Sequence, residues 1–417
     1  MNETPTVRAM EIMAPVGSYE SLMAAIEAGA QSVYFGVGKM NMRSRSAANF
    51  TLEDLHKIAG ICHPKGVRMY LTLNTVVFDQ ELDEMRATVD AACESTLSAI
   101  IASDLSVMKY CREKGMEVHT STQCNITNTE AVAFYAQYAD VMVLARELNL
   151  DQVSVIAKNI VERNITGPSG KPVLLEVFVH GALCMAVSGK CYLSLDLFNQ
   201  SANRGACYQP CRRGYTVKDK EQEVELDIEN EFIMSPKDLC TIGFLDKIMQ
   251  AGVSILKIEG RGRAADYVLT TTQCYHEAVE ALMNGTYTAE KIVEWETRLK
   301  SVYNRGFWDG YYLGRRLGEW SEKYGSQATT QKLYIGRITN YFSNLSVAEI
   351  HIDTYDLTSG DNIIITGPTT GVVPLQVSEI RVENAVVTSS VKGQDCSIAV
   401  AAVVRRGDKV YKVCDIV

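Results

Sequence analysis

The feature that most restricts this chain is an alternation running through its first 282 residues. Eight short β-rich runs occur in order: MEIMAPV, SVYFGV, RMYLTLN, AIIASD, EVHTSTQ, VMVLARE, LLEVFVHG and SILKIEGR. Between most of them lie stretches with helical spacing, such as LEDLHKIAGICH and ELDEMRATVDAACE. Successive strands joined by helical crossovers run parallel, because a tight hairpin can only reverse the chain. Eight such units predict an α/β fold, a closed (β/α)8 TIM-like barrel over residues 1–285. An open doubly wound sheet is the alternative. No GxGxxG follows the first strand, which argues against a dinucleotide-binding sheet.

One crossover breaks the rhythm. Residues 182–252, between the seventh and eighth strands, form an insertion far longer than a usual connection, and long loops in compact domains are commonly functional. Beyond Gly285 the chain turns helical and aromatic (AEKIVEWETRLKSVYNRGFWDGYYLG), predicting a helical connector over 286–330. From residue 331 to 417 the pattern becomes short alternating strands, predicting a separate small β-barrel.

Side chains alternate across a strand, so parity sorts inward from outward positions. It places Glu176, Phe178 and His180 on the inner face of the seventh strand, and Lys257, Glu259 and Arg261 on that of the eighth. Tyr70, Thr72 and Asn74 share a face of the third strand; His119, Ser121 and Gln123 share one of the fifth; Arg146 ends the sixth. Barrel interiors are ordinarily apolar, so converging charges must be paired or functional. Many of these residues fall at carboxyl ends of strands, where barrels of this kind carry their sites. A mutual Lys257–Glu259 pair is expected, and the arginines suit an anionic ligand, since a guanidinium grips carboxylate or phosphate as a fork.

Five of the twelve cysteines crowd into the insertion: Cys184, Cys191, Cys207, Cys211 and Cys240. No apolar run is long enough to span a membrane, and MNETPTVRAMEIMAPVG lacks the form of a secretion signal. A cytoplasmic location is therefore expected, where thiols stay reduced. Crowded thiols in loops then point to a metal or iron–sulfur site. The spacing lacks the paired CxxC of a zinc ribbon. In SPKDLC, Ser235 reads as a helix N-cap with Pro236 at the first helical position, which would set Cys240 in the first turns of a helix. A formal net charge of −9 opposes a broadly cationic nucleic-acid binder, yet CRRGY and EGRGR are local basic patches. No HExxH occurs, which disfavours a zinc peptidase of that type.

The stretch EVFVHGALCMAVSGKCYLS resembles the signature of the peptidase U-32 family, also called collagenase-like proteases. APVGSYESLMAAIEAGAQSVYFG, STQCNITN, NRGACYQPCRRGY, SPKDLC and LKIEGRGRAADYV are similar to its other blocks, in order. The resemblance is nearest to the tRNA hydroxylation subgroup. It implies an iron–sulfur protein that hydroxylates wobble uridine of tRNA to 5-hydroxyuridine without O2, with prephenate as co-substrate. Relatives hydroxylate ribosomal RNA or a ubiquinone precursor. It implies a 4Fe-4S cluster on Cys184, Cys191, Cys207 and Cys240, with Cys211 a fifth candidate. Prephenate, a dicarboxylate, would suit Arg43, Arg45 and Arg261, with Gln123 and Glu259 in the same pocket. His180 would act as acid or base, with Glu176 beside it. The implied partners are tRNA, that small acid and a paralogous subunit. A U-32 type peptidase and a non-catalytic cluster-bearing subunit of a hydroxylation complex stay open as alternatives.

Overall fold

The computed structural model describes residues 10–45, 49–216, 231–314 and 318–416. Part of the N-terminal stretch read above for a secretion signal, up to residue 9, lies outside this range, as does part of the insertion.

The eight expected strands all form. They are β1 (Glu11–Pro15), β2 (Ser32–Gly36), β3 (Arg68–Leu73), β4 (Ala99–Ala102), β5 (Val118–Thr120), β6 (Val141–Val143), β7 (Leu174–Ala182) and, after the insertion, the strand Ile255–Ile258. Within the insertion β8 (Asp238–Cys240) intervenes, so Ile255–Ile258 is β9. Each barrel strand pairs in parallel with the next, and β9 closes the ring by pairing with both β7 and β1. The outer faces of the strands pack under the helices in one continuous apolar core, as the near-unbroken hydrophobic runs require.

Two departures matter for the site. First, the register between β7 and β9 shifts at Phe178, so that Phe178 faces Lys257 but His180 faces Ile258. The shift is a bulge, and one extra residue reverses the facing of all that follows. Second, SPKDLC does not open a helix. Asp238–Cys240 is β8, antiparallel to β7, with Cys240 opposite His180. The helix begins only at Leu245, after a short 3-10 turn. Strand pairing with β7 overrides the local capping pattern here.

Among the described residues of the expected connector the α-helix spans Ala289–Ser301; the chain then adds β10 (Phe307–Trp308) alongside β8. The C-terminal region is an eight-stranded antiparallel sheet around its own aliphatic core. Its end strands, Gly371–Gln376 and Ala385–Val387, do not pair with each other among the described residues. The sheet seats on the helices Tyr19–Glu27 and Ala265–Met283 through Ile364, Val372, Ala24, Ala28, Ala265 and Leu269. No helix among the described residues is long and apolar enough to cross a membrane.

Candidate functional site

A chamber opens at the carboxyl ends of the barrel strands. Its volume is about 140 Å³, below the usual range of drug-sized ligand pockets, so it suits a small molecule. Parity read β3, β5 and β9 correctly: Thr72, Asn74, Ser121, Gln123, Lys257, Glu259 and Arg261 all line it. Four cations surround the space, Arg43, Arg146, Lys257 and Arg261.

Their pairing differs from expectation. Lys257 does not hold Glu259; its Nζ lies 2.6 Å from Glu176 Oε1, and both groups are buried. Glu176 also faces His119 Nδ1 at 3.6 Å. Burial opposes the charge on Glu176, yet Lys257 and His119 hold its carboxyl below the usual range. Glu259 Oε1 instead accepts from Arg43 Nη2 at 2.6 Å. Burial works against this carboxylate too, but Arg43 and Arg146 bring it down to about 2. Both acids are therefore ionised and matched.

Two arginines remain. Arg261 is buried and donates to Thr72 Oγ1 at 2.7 Å, but forms no ion pair among the described residues. Burial lowers it to about 10, still charged at neutral pH. Gly36 makes room for it, since a Cβ there would collide with its Nη1. Arg146 lies 3.9 Å over the Phe178 ring and gives one bond to the Ala182 carbonyl, while its buried Nε has no partner. With two of four cations neutralised by Glu176 and Glu259, the chamber has an excess of two positive charges.

His180 is not in this chamber. The bulge turns it outward, where it packs against the rings of Tyr267, Tyr275 and Phe307. Burial pushes it down to about 3, so it is a neutral core histidine. Glu176 points inward as expected, but lies paired with Lys257 beneath the chamber. Arg45 is exposed on an adjoining groove rather than in the chamber.

The insertion folds over the mouth. Cys184, Cys191 and Cys207 line the chamber wall. Cys211 stands with them: burial raises its thiol to about 11, and Cys184, Cys207 and Cys191 add to the rise. Cys240 does not join this group. It sits in β8 beside Tyr275, its thiol pushed up to about 12 by burial. The sequence also hid the role of Arg212, whose only signal was the basic CRRGY patch. Its guanidinium donates to the Leu183 carbonyl at 2.7 Å, the Pro236 carbonyl at 2.5 Å and Ser235 Oγ at 3.1 Å. It thereby ties the segment before Cys184 to the segment entering β8.

Among the described residues no three His, Cys, Asp or Glu side chains are placed to hold a single metal ion. A cubane holds its thiolates further apart than a mononuclear ion does. Three soft donors, Cys184, Cys191 and Cys207, line one cavity, and Cys211 follows Cys207 by four residues; soft thiol donors of this kind suit such a group.

Fold and site together define a parallel (β/α)8 barrel with a cationic chamber at its mouth, capped by a cysteine-rich insertion. The chain belongs to peptidase family U32, whose model matches residues 17–322. It is 61% identical over 406 residues to a Porphyromonas gingivalis protein named collagenase, covering 97% of this chain and 98% of that one. It is 29% identical over 366 residues to tRNA hydroxylation protein P1 of Bacillus subtilis, covering 86% and 83%. It is 31% identical over 317 residues to tRNA hydroxylation protein P of Helicobacter pylori, covering 73% and 72%.

Proposed function

We propose that this protein hydroxylates a pyrimidine nucleoside in RNA, wobble uridine of tRNA in the first instance, with a small dicarboxylate bound in the barrel chamber. The carrying observation is the shared wall. The chamber with two uncompensated arginines, Arg146 and Arg261, is lined on one side by Cys184, Cys191 and Cys207. A dianion such as prephenate matches the excess charge, and each guanidinium can grip one carboxylate. A 4Fe-4S cluster on Cys184, Cys191, Cys207 and Cys211 would supply electron transfer next to that acid. Arg43, whose charge is reinforced first by Glu259 and also by Cys184 and Cys207, lines the same chamber and would stand next to both groups. The names of the B. subtilis and H. pylori relatives support RNA as the substrate.

The name of the 61% identical relative favours a second reading, a peptidase. The chamber supplies little for it. His119 is held by Glu117 and Glu176, and His180 lies against Tyr275, so neither activates a chamber cysteine or serine as a nucleophile. The test is nucleoside mass spectrometry of tRNA and ribosomal RNA from cells with and without the gene, with gelatin cleavage by the anaerobically purified protein run in parallel. Loss of a 5-hydroxypyrimidine supports the proposal. Unchanged nucleosides with cluster-independent gelatin cleavage overturn it.

A further inference from the structure

Beside the chamber runs a second cavity, a groove of about 340 Å³. It shares Arg43, Glu259 and Cys207 with the chamber, so the Arg43–Glu259 ion pair and Cys207 form the wall between the two. Its remaining walls include Arg45, Tyr208, Gln209, Arg263 and Arg305. Arg305 is neutralised by Asp238 at 3.3 Å, and Arg43 by Glu259. Arg45 and Arg263 form no ion pair among the described residues. The outer groove thus has two cations of its own outside the described ion pairs, the exposed Arg45, and Arg263, which lies 3.5 Å over the Tyr303 ring.

Tyr208 is 48% exposed, an unusual setting for a large aromatic ring next to charged groups. It is nevertheless held. Its backbone N–H donates to Ser194 Oγ at 3.0 Å, and its ring meets Phe198 edge-on at 5.5 Å. Gln209, next in the chain, has a left-handed backbone (φ 54°), uncommon for a residue with a Cβ. The segment is therefore shaped to present Tyr208 and Gln209 at the groove directly after Cys207. A fixed, half-exposed aromatic flanked by unpaired arginines is the arrangement that binds single-stranded nucleic acid, with rings stacking bases and guanidinium groups following phosphates.

We infer that this groove receives the target nucleotide of a single-stranded RNA segment, with Tyr208 stacking on its base and Arg45 and Arg263 on the flanking phosphates. The inference rests on the reading of RNA as substrate and deepens it. The base would lie at the Cys207 end, with the Arg43–Glu259 pair between it and the chamber acid. Separate entry follows: the small acid and the nucleotide occupy different cavities and do not compete.

The test uses the full-length protein isolated with its iron, and a fluorescent oligouridine of about a dozen nucleotides, a length in the usual site-size range. Binding is followed by anisotropy across a salt series. Tyr208→Ala should weaken binding about 5- to 100-fold, the loss expected for one stacked base. Tyr208→Phe should stay within about twofold of wild type, because the stacking face is kept. An oligomer lacking its bases should bind wild type no better than oligouridine binds Tyr208→Ala. Arg45→Gln and Arg263→Gln should each reduce the salt slope by about 0.7, one single-strand phosphate apiece. Iron content checks that each variant keeps its insertion folded. If wild type binds oligouridine and Tyr208→Ala with full iron binds it equally, the groove assignment fails while RNA recognition stands. If wild type binds neither oligouridine nor intact tRNA, the RNA reading itself fails. If a collagen-derived peptide displaces oligouridine in a Tyr208-dependent way, the groove belongs to a peptide and the inference is overturned.

Discussion

Lys257 Nζ lies 2.6 Å from Glu176 Oε1 beneath the chamber floor, with both side chains withdrawn from solvent. Neither charge can be removed alone without stranding the other in a low-dielectric interior. Replacing Lys257 with Met should cost about 3–5 kcal/mol. Joint replacement, Lys257→Met with Glu176→Gln, should recover much of that loss. Urea denaturation of both variants checks it. A single variant as stable as the double one would mean that His119 alone satisfies Glu176.

His180 gives a pH signature of opposite origin. Its folded-state pKa, lowered to about 3 by burial, lies below the ordinary unfolded value near 6.5. The unfolded chain therefore binds the extra proton more readily. This contribution to stability is complete above about pH 6.5 and is lost as pH falls toward 3, by up to about 1.4 kcal/mol per pH unit. His119, whose pKa is raised by Glu117 and Glu176 against the effect of burial, works in the other direction near neutrality. The difference between wild type and His180→Phe isolates the effect. His180→Phe should gain stability relative to wild type as pH falls from 6.5 to 5, by up to about 1.4 kcal/mol per pH unit; a flat difference would show a histidine that is charged or exposed.

The two strands that carry these residues show what the sequence can and cannot reveal. All eight barrel strands were legible, because each is a short β-rich run in a regular alternation with helical segments. Inward-facing residues were legible in β3, β5 and β9, where alternation is unbroken. His180 was misplaced because the bulge after Phe178 leaves no mark on composition or spacing. Cys240 was misplaced for a related reason. A capping pattern is a local preference of about a kilocalorie per mole, and pairing of Asp238–Cys240 with β7 outweighs it. The partners of Lys257 and Glu259 were out of reach because Glu176 and Arg43 are distant in the chain, and only ring closure brings them together.

The C-terminal sheet is seated too closely on the barrel to be a detachable accessory. Gly371 has a left-handed backbone (φ 74°), and a Cβ there would lie 3.0 Å from Met23 Cβ. Gly371→Ala should destabilise the chain by about 1–3 kcal/mol through strain and overpacking together. A chain cut near Gly325 would expose Ala24, Ala28, Ala265 and Leu269 and should aggregate rather than remain a soluble barrel. Limited proteolysis and light scattering read both outcomes. A soluble truncated barrel with unchanged melting would contradict the packing described.

Arg261 and Arg146 should respond unlike the paired cations. Arg261→Ala breaks no ion pair, so the melting temperature and iron should be kept. The lost charge-assisted bond should weaken prephenate binding by about 1.5–3 kcal/mol, tenfold or more. Arg146→Met should also weaken prephenate binding, but with some fall in melting temperature, because it removes the bond to the Ala182 carbonyl and one of the cations that hold Glu259 ionised. Glu259→Gln should behave differently, leaving Arg43 unmatched and lowering stability. Calorimetric titration with prephenate, alongside melting curves, separates the cases. If Arg261→Ala lowers melting as much as Glu259→Gln and leaves prephenate binding unchanged, these arginines are structural and the acid binds elsewhere.

The donor set makes the sharpest distinction, because the proposed set takes Cys211 where the family resemblance implies Cys240. Cys211 follows the chamber-lining Cys207 in the same loop, and its charge is coupled to those of Cys184, Cys191 and Cys207, whereas Cys240 lies in a paired strand beside Tyr275. Burial raises the thiols of Cys211 and Cys240 alike, so position and not acidity separates them: Cys240 is held in β8 opposite His180 and does not line the chamber. Substituting Ser for Cys184, Cys191, Cys207 or Cys211 should each abolish most bound iron and the broad visible absorption of protein prepared without oxygen. Cys240→Ser should keep both, with a modest fall in melting temperature from altered packing. Iron retained in Cys211→Ser but lost in Cys240→Ser would require β8 to unpair from β7 when the cluster binds. It would restore the ligand set that the family resemblance implies.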